Sequence, residues 1–337
     1  MAKKDKKGNL ITAPPQLKKL YLDTYIDRLR HREINPNFQL VHVLKTELWN
    51  LRLEMLKCKK SPKWSMDDLD QVLKNMKNNK SRDPHGFVNE IFKPGLMGRN
   101  LKAGILLLVN GIKDEFFFPL FMQWANITTI YKKKGSRMCL DSDRGIFVIC
   151  VLKKLTERLI YNDKYKEIDS NMSDSNIGGR RKKNIKNHLF IIYGIINSVI
   201  KGDADPVDIG VYDIEKAFDA MWLEDTMNDL IDTLPVDQQD DKLALLYEGN
   251  RNNEVAINTA VGQTDRVNIP LIVMQGGTWG PIQCSNSMDK IGKKCHESGN
   301  HFYLFKKRAW ILTLGMSVSR SGHQSLATNT YLREALK

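Results

Sequence analysis

The fold is indicated by one heptapeptide near the middle of the chain, Asp213-Ile214-Glu215-Lys216-Ala217-Phe218-Asp219. Before it, apolar residues alternate with others from Val207 to Val211, and this period of two predicts a strand that ends near Tyr212. After it, apolar residues recur at helical spacing from Leu223 to Leu234, and Asp219 can cap that helix. The sequence therefore predicts a strand, an acidic turn and a helix in this order.

The composition points to a globular chain with a polyanionic partner. The 337 residues, 42% of them hydrophobic, can bury a large core as one large domain or two ordinary ones. Lysine and arginine number 52 against 39 acidic residues, which gives a formal net charge of +13. Such a balance favours nucleic acid as the partner. An ordinary basic surface, or a binder without chemistry, would have the same composition.

Cysteine spacing and hydropathy predict an intracellular chain. The cysteines fall at no metal-ligand spacing, so neither zinc nor a disulfide framework is expected; they are Cys58, Cys139, Cys150, Cys284 and Cys295. The most apolar stretches, 104–109 and 116–124, are too short to cross a bilayer. The lysine-rich start is expected to be a solvated tail or a weak nuclear address, so nucleus and cytoplasm both stay open.

Several further elements follow from local patterns. Apolar residues among charges predict amphipathic helices over 16–58, with Leu44, Leu48, Leu51 and Met55 on one of the apolar faces. Ser65 and Asp68 have the spacing of a capping box, and the helix that they start is expected to end near 78–79.

Two more patterns predict strands and a later helix. Residues 126–131 have strand composition and lead into the basic segment 132–135, which predicts a basic hairpin. Alternating residues around 255–257 and 267–273 predict strands, and Pro281 suits the first turn of a helix.

Five short motifs, in order along the chain, resemble those of the reverse transcriptases of LINE-type (non-LTR) retrotransposons. The heptapeptide at 213–219 resembles their first carboxylate motif, in which an aromatic residue follows a metal-binding aspartate five positions later. The segment 275–281, Gln-Gly-Gly-Thr-Trp-Gly-Pro, resembles their Gln-Gly turn and helix, although many members have Asp-Pro after Gln-Gly. The other three resemble a Lys-Ser loop, a fingers hairpin and a Gly-Phe-Arg segment; they are 80–86 with Glu90, 127–135 with 143–146, and 178–180.

The resemblance implies a role for each matched residue. Asp213 would be catalytic and would bind Mg²⁺, with Mn²⁺ as an alternative, because carboxylates hold the metals of phosphoryl transfer. Phe218 would select deoxynucleotides by excluding a 2′-hydroxyl. The residues implied in nucleotide binding are Lys132, Arg144, Phe218, Gln275 and Gly276. The residues implied in contact with the template or hybrid are Lys80, Arg82 and Arg180. For Arg180 the alternative is that it packs the fingers.

Each of these residues taken singly also has a simpler interpretation. Asp213 could cap a strand end, Phe218 could be a core aromatic residue, and the basic residues could form a solvated charged face. Gly276 could mark only a turn, although close approach of a nucleotide to the backbone favours glycine. The order of the five motifs favours the functional interpretation.

The second carboxylate motif of the family, an Asp-Asp pair in a hairpin, is missing from the sequence. After Asp289 the chain contains no aspartate, and the apolar run 309–316 leads directly to Ser317. Asp213 alone is therefore expected to bind Mg²⁺ poorly, and this copy is expected to be inactive.

The resulting prediction is an α+β right-hand polymerase with fingers and an antiparallel palm sheet packed on helices, without a thumb. The segments are a basic helical extension (1–64), fingers (65–206), palm (207–316) and a residual C-terminal segment (317–337). The predicted function is RNA-directed DNA polymerase by descent, with an RNA template, an RNA–DNA hybrid and dNTP as partners. No membrane and no obligate protein partner is expected. The alternative is a domesticated, non-catalytic RNA-binding protein.

Overall fold

The chain combines helices with two main β-sheets, which confirms the α+β class. The computed structural model describes residues 2–29, 39–93, 95–174, 176–202, 208–213, 221–270, 273–274, 276–297, 301–306 and 310–315. The helices in these ranges are α1 (Pro14–Leu29), α2 (Gln39–Cys58), α3 (Met66–Lys74), α4 (Arg99–Glu115), α5 (Val151–Asn171), α6 (Ile185–Lys201), α7 (Leu223–Thr233), α8 (Asp241–Arg251) and α9 (Gly280–Glu297).

The strands form one five-stranded sheet, one three-stranded sheet and a short ribbon. They are β1 (Lys3–Lys4), β2 (Leu10–Ile11), β3 (Trp124–Tyr131), β4 (Asp143–Ile149), β5 (Asp208–Asp213), β6 (Asn252–Thr259), β7 (Gly262–Gln263), β8 (Val267–Pro270), β9 (His301–Lys306) and β10 (Trp310–Gly315). The strands predicted around 126–131, 207–213, 255–257 and 267–273 are therefore confirmed to within a few residues.

The five-stranded sheet is mixed. Its order is β4-β3-β6-β7, with β8 also paired to β6. Strands β3 and β4 form the predicted hairpin, in antiparallel register from Ala125 opposite Ile149 to Tyr131 opposite Asp143. Strands β3 and β6 are parallel, which requires a long crossover connection. This sheet is thus not the antiparallel sheet that the resemblance implied.

Helix α1 covers one face of this sheet. Tyr21, Tyr25 and Leu29 of the helix are buried against alternate residues of the strands. Alternation places residues two apart on the same face, so each strand contributes one apolar row to the core. The strand residues in this cluster are Ala125, Ile127, Phe147, Ile149, Val255, Ile257 and Ile269.

The three-stranded sheet is antiparallel throughout, in the order β5-β10-β9. Strand β10 is central and pairs with β5 from Trp310 opposite Asp213 to Gly315 opposite Asp208. The apolar run 309–316 was expected to lead up to a missing hairpin. In the structure the run supplies β10, which also pairs antiparallel with β9, and the residues after Gly315 lie outside the described ranges.

Two predicted helix ends need correction. Helix α3 has the predicted capping box between Ser65 and Asp68, but it ends at Lys74 with Asn75 as its C-cap, short of the predicted 78–79. Helix α7 buries its predicted apolar face, yet its N-cap is Trp222, so the prediction that Asp219 caps it is wrong.

The apolar residues that indicated α2 do not lie on its buried face. Leu44, Leu48, Leu51 and Met55 are 54–65% exposed, whereas the residues of this helix that are buried are Trp49, Leu53 and Leu56. The period alone showed that a helix forms. It did not show which of two apolar faces meets the rest of the chain.

The chain divides into two compact units. One comprises Met1–Lys166 and Phe218–Gly280, and the other comprises Glu167–Ala217 and Pro281–Lys337. Both units are discontinuous in sequence, so their limits differ from the predicted segments 1–64, 65–206, 207–316 and 317–337. Within the described ranges, none of the helices has the length and apolar character needed to cross a bilayer.

Candidate functional site

The predicted catalytic aspartate ends a strand of the three-stranded sheet. Asp213 is the last residue of β5, and its backbone lies opposite Trp310 of β10. Strand β10 is joined to β9 through residues 307–309, whose sequence is Lys-Arg-Ala. Two of the predicted nucleotide-binding residues, Phe218 and Gln275, lie outside the described residues.

The structure places the two predicted phosphate-binding residues of the β3–β4 hairpin near each other in the backbone. Lys132 directly follows β3 and Arg144 is the second residue of β4, so both lie at the same end of the hairpin. The Lys132 amide donates to the Ser142 carbonyl at 2.8 Å, and its ammonium donates to the Asp141 carbonyl at 3.0 Å. Lys132 is exposed and Arg144 is half-buried. An anion at this end of the hairpin could meet both charges.

The lysine-rich start of the chain is fastened to this hairpin, so the prediction of a solvated tail is wrong. Lys3 is only 4% exposed, and its ammonium donates to Asp143 at 2.6 Å and to the Arg137 carbonyl at 2.7 Å. The buried pair of Lys3 and Asp143 fixes the start of β4. Sequence reasoning missed this pair because its members lie 140 residues apart.

The Lys-Ser loop, 80–86, is fixed by Asp83. One carboxylate oxygen of Asp83 accepts from the amides of His85 and Phe87, each at 2.8 Å. The other accepts from the amide of Val151 at 3.0 Å, at the first residue of α5, where a negative charge is favoured. The loop therefore presents Lys80 and Arg82, both exposed, from a defined conformation.

The Gln-Gly turn packs between β4 and α5. Gly276 has φ +123°, and a Cβ at this position would lie 2.5 Å from the carbonyl oxygen of Phe147. The requirement for glycine therefore arises from contact with the protein's own backbone. The expected reason, approach of a nucleotide, is not needed to explain it. Gly276 lies beside the strand that carries Arg144.

A tryptophan anchors the same turn. Trp279 is 2% exposed, and its indole Nε1 donates to the carbonyl of Glu157 at 2.9 Å. Its ring meets that of Tyr161 edge to face at 5.3 Å, and the amide of Thr278 donates to the Glu157 carboxylate at 3.2 Å. Trp279 therefore holds the turn against α5.

Arg180 is buried, with its guanidinium directed at internal acceptors. It is 9% exposed, and Nε donates to the Asp169 carboxylate at 2.7 Å. Its terminal nitrogens donate to the carbonyls of Asp169, Ser173 and Asn176 at 2.6–2.8 Å. Of the two roles considered for Arg180, this geometry favours packing over contact with a template.

Two buried lysines were missed by sequence reasoning. Burial lowers the pKa of Lys153 to about 8 although Glu157 opposes the shift, and its ammonium donates to Asn253 at 2.7 Å. Lys113 of α4 pairs with Asp241 at 2.9 Å, with side-chain exposures of 2% and 0%. Lysine is rarely buried without a partner, but the local sequence does not indicate a partner that lies 100 or more residues away.

A cavity of about 830 Å³ lies next to the ion pair of Lys113 and Asp241. Its lining includes four lysines and three aspartates; the lysines are Lys59, Lys60, Lys164 and Lys242, and the aspartates are Asp163, Asp237 and Asp240. Lys164 and Lys242 are paired with Asp240 and Asp163 respectively. The lining is therefore close to neutral and favours no charged ligand.

No cluster of three or more His, Cys, Asp or Glu side chains suited to a metal occurs among the side chains that are described. The side chain of Asp213 is not among them, so the magnesium site stays a prediction. The free cysteines in the described part of the chain are Cys58 and Cys139, which are exposed, and Cys150 and Cys284, which are buried. No protein-family model matches the chain, and no curated protein matches it.

Proposed function

We propose that this chain is the reverse-transcriptase region of a LINE-type retrotransposon, an RNA-directed DNA polymerase by descent, and that this copy binds nucleic acid without polymerising. One observation carries the proposal. A strand ends at Asp213 and pairs with a hairpin, in a small antiparallel sheet, as the resemblance implies for the first carboxylate motif. The order of the five sequence motifs supports the same assignment.

The strands of the hairpin beside Asp213 offer no further carboxylate for a pair of Mg²⁺ ions. The sequence between β9 and β10, residues 307–309, is Lys-Arg-Ala and includes no acid. The strands of that hairpin, His301–Lys306 and Trp310–Gly315, contain no Asp or Glu either. Two divalent ions need several carboxylates from different elements, and Asp213 alone cannot fix both. We therefore expect this chain to bind the two ions poorly.

Nucleic-acid binding does not need these carboxylates. Lys80, Arg82 and Lys132 are exposed, and the chain has a formal net charge of +13. Lysine and arginine that contact phosphates release condensed counterions, so the affinity falls steeply as salt rises. The acid-free hairpin also favours the second candidate function, a domesticated RNA-binding protein that keeps the basic surface and has no catalytic role.

Primer extension tests the catalytic part of the proposal. The unmodified chain and Asp213→Ala are both expected to leave a DNA primer on an RNA template unextended, with Mg²⁺ or Mn²⁺. A variant with Lys307→Asp and Arg308→Asp puts two carboxylates into the sequence between β9 and β10. If the unmodified chain extends the primer and Asp213→Ala abolishes this extension, the claim of inactivity is wrong.

Titration of a labelled RNA–DNA hybrid tests the binding part. Lys132→Glu and Arg144→Glu should each weaken binding by several-fold at low salt, and the loss should shrink as salt rises. Lys19→Glu is the control, because Lys19 is exposed and lies outside the five motifs. Two outcomes would contradict phosphate binding at the β3–β4 hairpin. One is binding that does not depend on salt, and the other is an equal loss of binding in all three variants.

A further inference from the structure

Helix α2 has two apolar faces, and in the described part of the chain only one of them is buried. Trp49, Leu53 and Leu56 are at most 5% exposed. Trp49 packs edge to face on Tyr247 of α8, with ring centroids 4.7 Å apart. This inner face holds α2 on the rest of its compact unit.

The outer face carries a heptad pattern. Its members follow one another at alternating steps of three and four residues, which is the spacing of the a and d positions of a coiled coil. They are Val41, Leu44, Leu48, Leu51, Met55 and Cys58. The first five are 48–65% exposed, and Cys58 is exposed as well. An apolar row of this length on a helix is typical of an interaction surface.

The charges beside this row are sorted by sign. With Leu44 and Leu51 at d positions, the e positions are basic, with Lys45, Arg52 and Lys59, and two of the g positions are acidic, with Glu47 and Glu54. In a coiled coil, residues at e and g flank the apolar seam and decide which helix pairs with which, and in which direction.

We propose that the outer face of α2 binds α2 of a second copy of this chain, in parallel and in register. In that arrangement each g residue meets the e residue of the next heptad on the other helix. Glu47 then faces Arg52 of the second copy, and Glu54 faces Lys59 of the second copy. All of these contacts join opposite charges.

An antiparallel pair would bring like charges together. With the apolar residues of the two helices in contact, g would face g, so that Glu47 meets Glu54 of the second copy. The e positions would also meet, with Lys45 opposite Arg52. Like charges at these positions disfavour that direction. The sequence of α2 is therefore self-complementary in one orientation only.

The charged residues keep capacity for these contacts. Arg52 donates to Asn228 and Asp232 of its own chain, each at 2.8 Å, which leaves the other donors of its guanidinium for a partner. Glu54 is 68% exposed and pairs with Lys57 at 3.0 Å, as a surface contact that is easily exchanged.

The dimer is expected to be weak. Helix α2 has 20 residues, so it is about 30 Å long and offers between two and three heptads. An isolated peptide of this length would be marginal. Here the inner face already holds α2 as a helix, so association does not have to order it. Leucine at d favours two strands over three or four.

Sedimentation velocity on the full chain, from micromolar to submillimolar concentration, tests the association. A concentration-dependent dimer is expected, and Leu48→Glu with Leu51→Glu should raise its dissociation constant at least ~10-fold. Leu107→Glu is the matched control, because Leu107 is a 76% exposed leucine on another helix, α4. Circular dichroism should show that all variants keep their helix content.

Oxidative cross-linking with diamide tests the direction. Cys58 lies at a d position, so in a parallel, in-register pair the two Cys58 side chains approach closely enough for a disulfide. A covalent dimer is expected. Cys58→Ser should remove it, whereas Cys139→Ser, at the other cysteine that is exposed among the described side chains, should not. A dimer without a Cys58 cross-link would overturn the parallel arrangement. A monomer at all concentrations would overturn the proposal, and so would a dimer that the Leu48 and Leu51 changes leave intact.

Discussion

The ammonium of Lys113 lies 2.9 Å from the carboxylate of Asp241, and the two side chains are 2% and 0% exposed. Lys113 also donates to the carbonyl of Ser61 at 2.9 Å, and Asp241 accepts from the amide of Ser61 at 3.1 Å. The pair thus joins α4, the first turn of α8 and the segment that leads into α3. A buried ion pair of this kind stabilises only while both partners are present.

Replacing one partner of this pair should destabilise the chain strongly. Lys113→Met leaves the Asp241 carboxylate buried without a counterion, which typically costs about 3–5 kcal/mol. Lys63→Met is the matched control, since Lys63 pairs with Asp114 at 2.6 Å but the two side chains are 65% and 38% exposed. That exposed pair should contribute about 0–1 kcal/mol. Urea unfolding followed by circular dichroism measures both, and equal losses would contradict the assigned role of burial.

Gly276 and Gly277 should respond differently to alanine. Gly276→Ala places a Cβ 2.5 Å from the Phe147 carbonyl oxygen at a φ of +123°, so a loss of at least about 2 kcal/mol is expected. At Gly277 the nearest atom to a Cβ would be 3.5 Å away, and the change should stay within about 1 kcal/mol. Thermal unfolding without any nucleotide separates the two. A harmless Gly276→Ala would instead support a role for this glycine only in ligand binding.

Because Lys153 is buried, the free energy of unfolding should rise with pH. Burial lowers its pKa from 10.5 to about 8 in the folded chain, so between these values the unfolded chain binds more protons. The penalty for burying the charged form is complete below pH 8 and disappears as the pH rises to 10.5. The stability of the wild type relative to Lys153→Met should therefore increase by on the order of 3 kcal/mol across this interval.

The control for this pH effect is an exposed lysine on the same helix. Lys166→Met should follow the wild type in parallel from pH 8 to 10.5, because Lys166 is exposed. Urea midpoints at several pH values provide the comparison. A difference between the wild type and Lys153→Met that does not change with pH would mean that Lys153 is solvated in the folded chain.

Removing the Asp83 carboxylate should release the Lys-Ser loop. Asp83→Ala leaves the amides of His85, Phe87 and Val151 without their acceptor, at a cost of about 1–3 kcal/mol. Hydrogen exchange at these three amides should accelerate. Asp237→Ala, at an exposed aspartate, should leave the same rates unchanged. Unchanged exchange in Asp83→Ala would show that other contacts hold the loop.

Pattern reasoning succeeded where a structure depends on neighbouring residues. The capping box of Ser65 and Asp68 was predicted because its hydrogen bonds span three positions of the chain. It failed where the outcome depends on what packs from elsewhere. Helix α3 ends several residues before the predicted 78–79. The N-cap of α7 is Trp222 and not the predicted Asp219.

The candidate site shows the same division. Five motifs and their order could be found in the sequence, and so could the absence of an aspartate after Asp289. The contact that requires glycine at Gly276 could not be found, because its partner is the carbonyl of Phe147, more than 100 residues earlier. The buried position of Arg180 could not be found either, since its acceptors are mostly backbone carbonyls, which every residue has.

By itself, the sequence determined the positions of about half of the described helices and strands and the basic character of the chain, because hydrophobic period, caps and charge are local properties. Tertiary structure alone decided which apolar face of α2 is buried, that β3 pairs in parallel with β6, and that Lys113 meets Asp241. These outcomes join residues far apart in the chain. Their energies come from packing and desolvation, which depend on neighbours that no local pattern specifies.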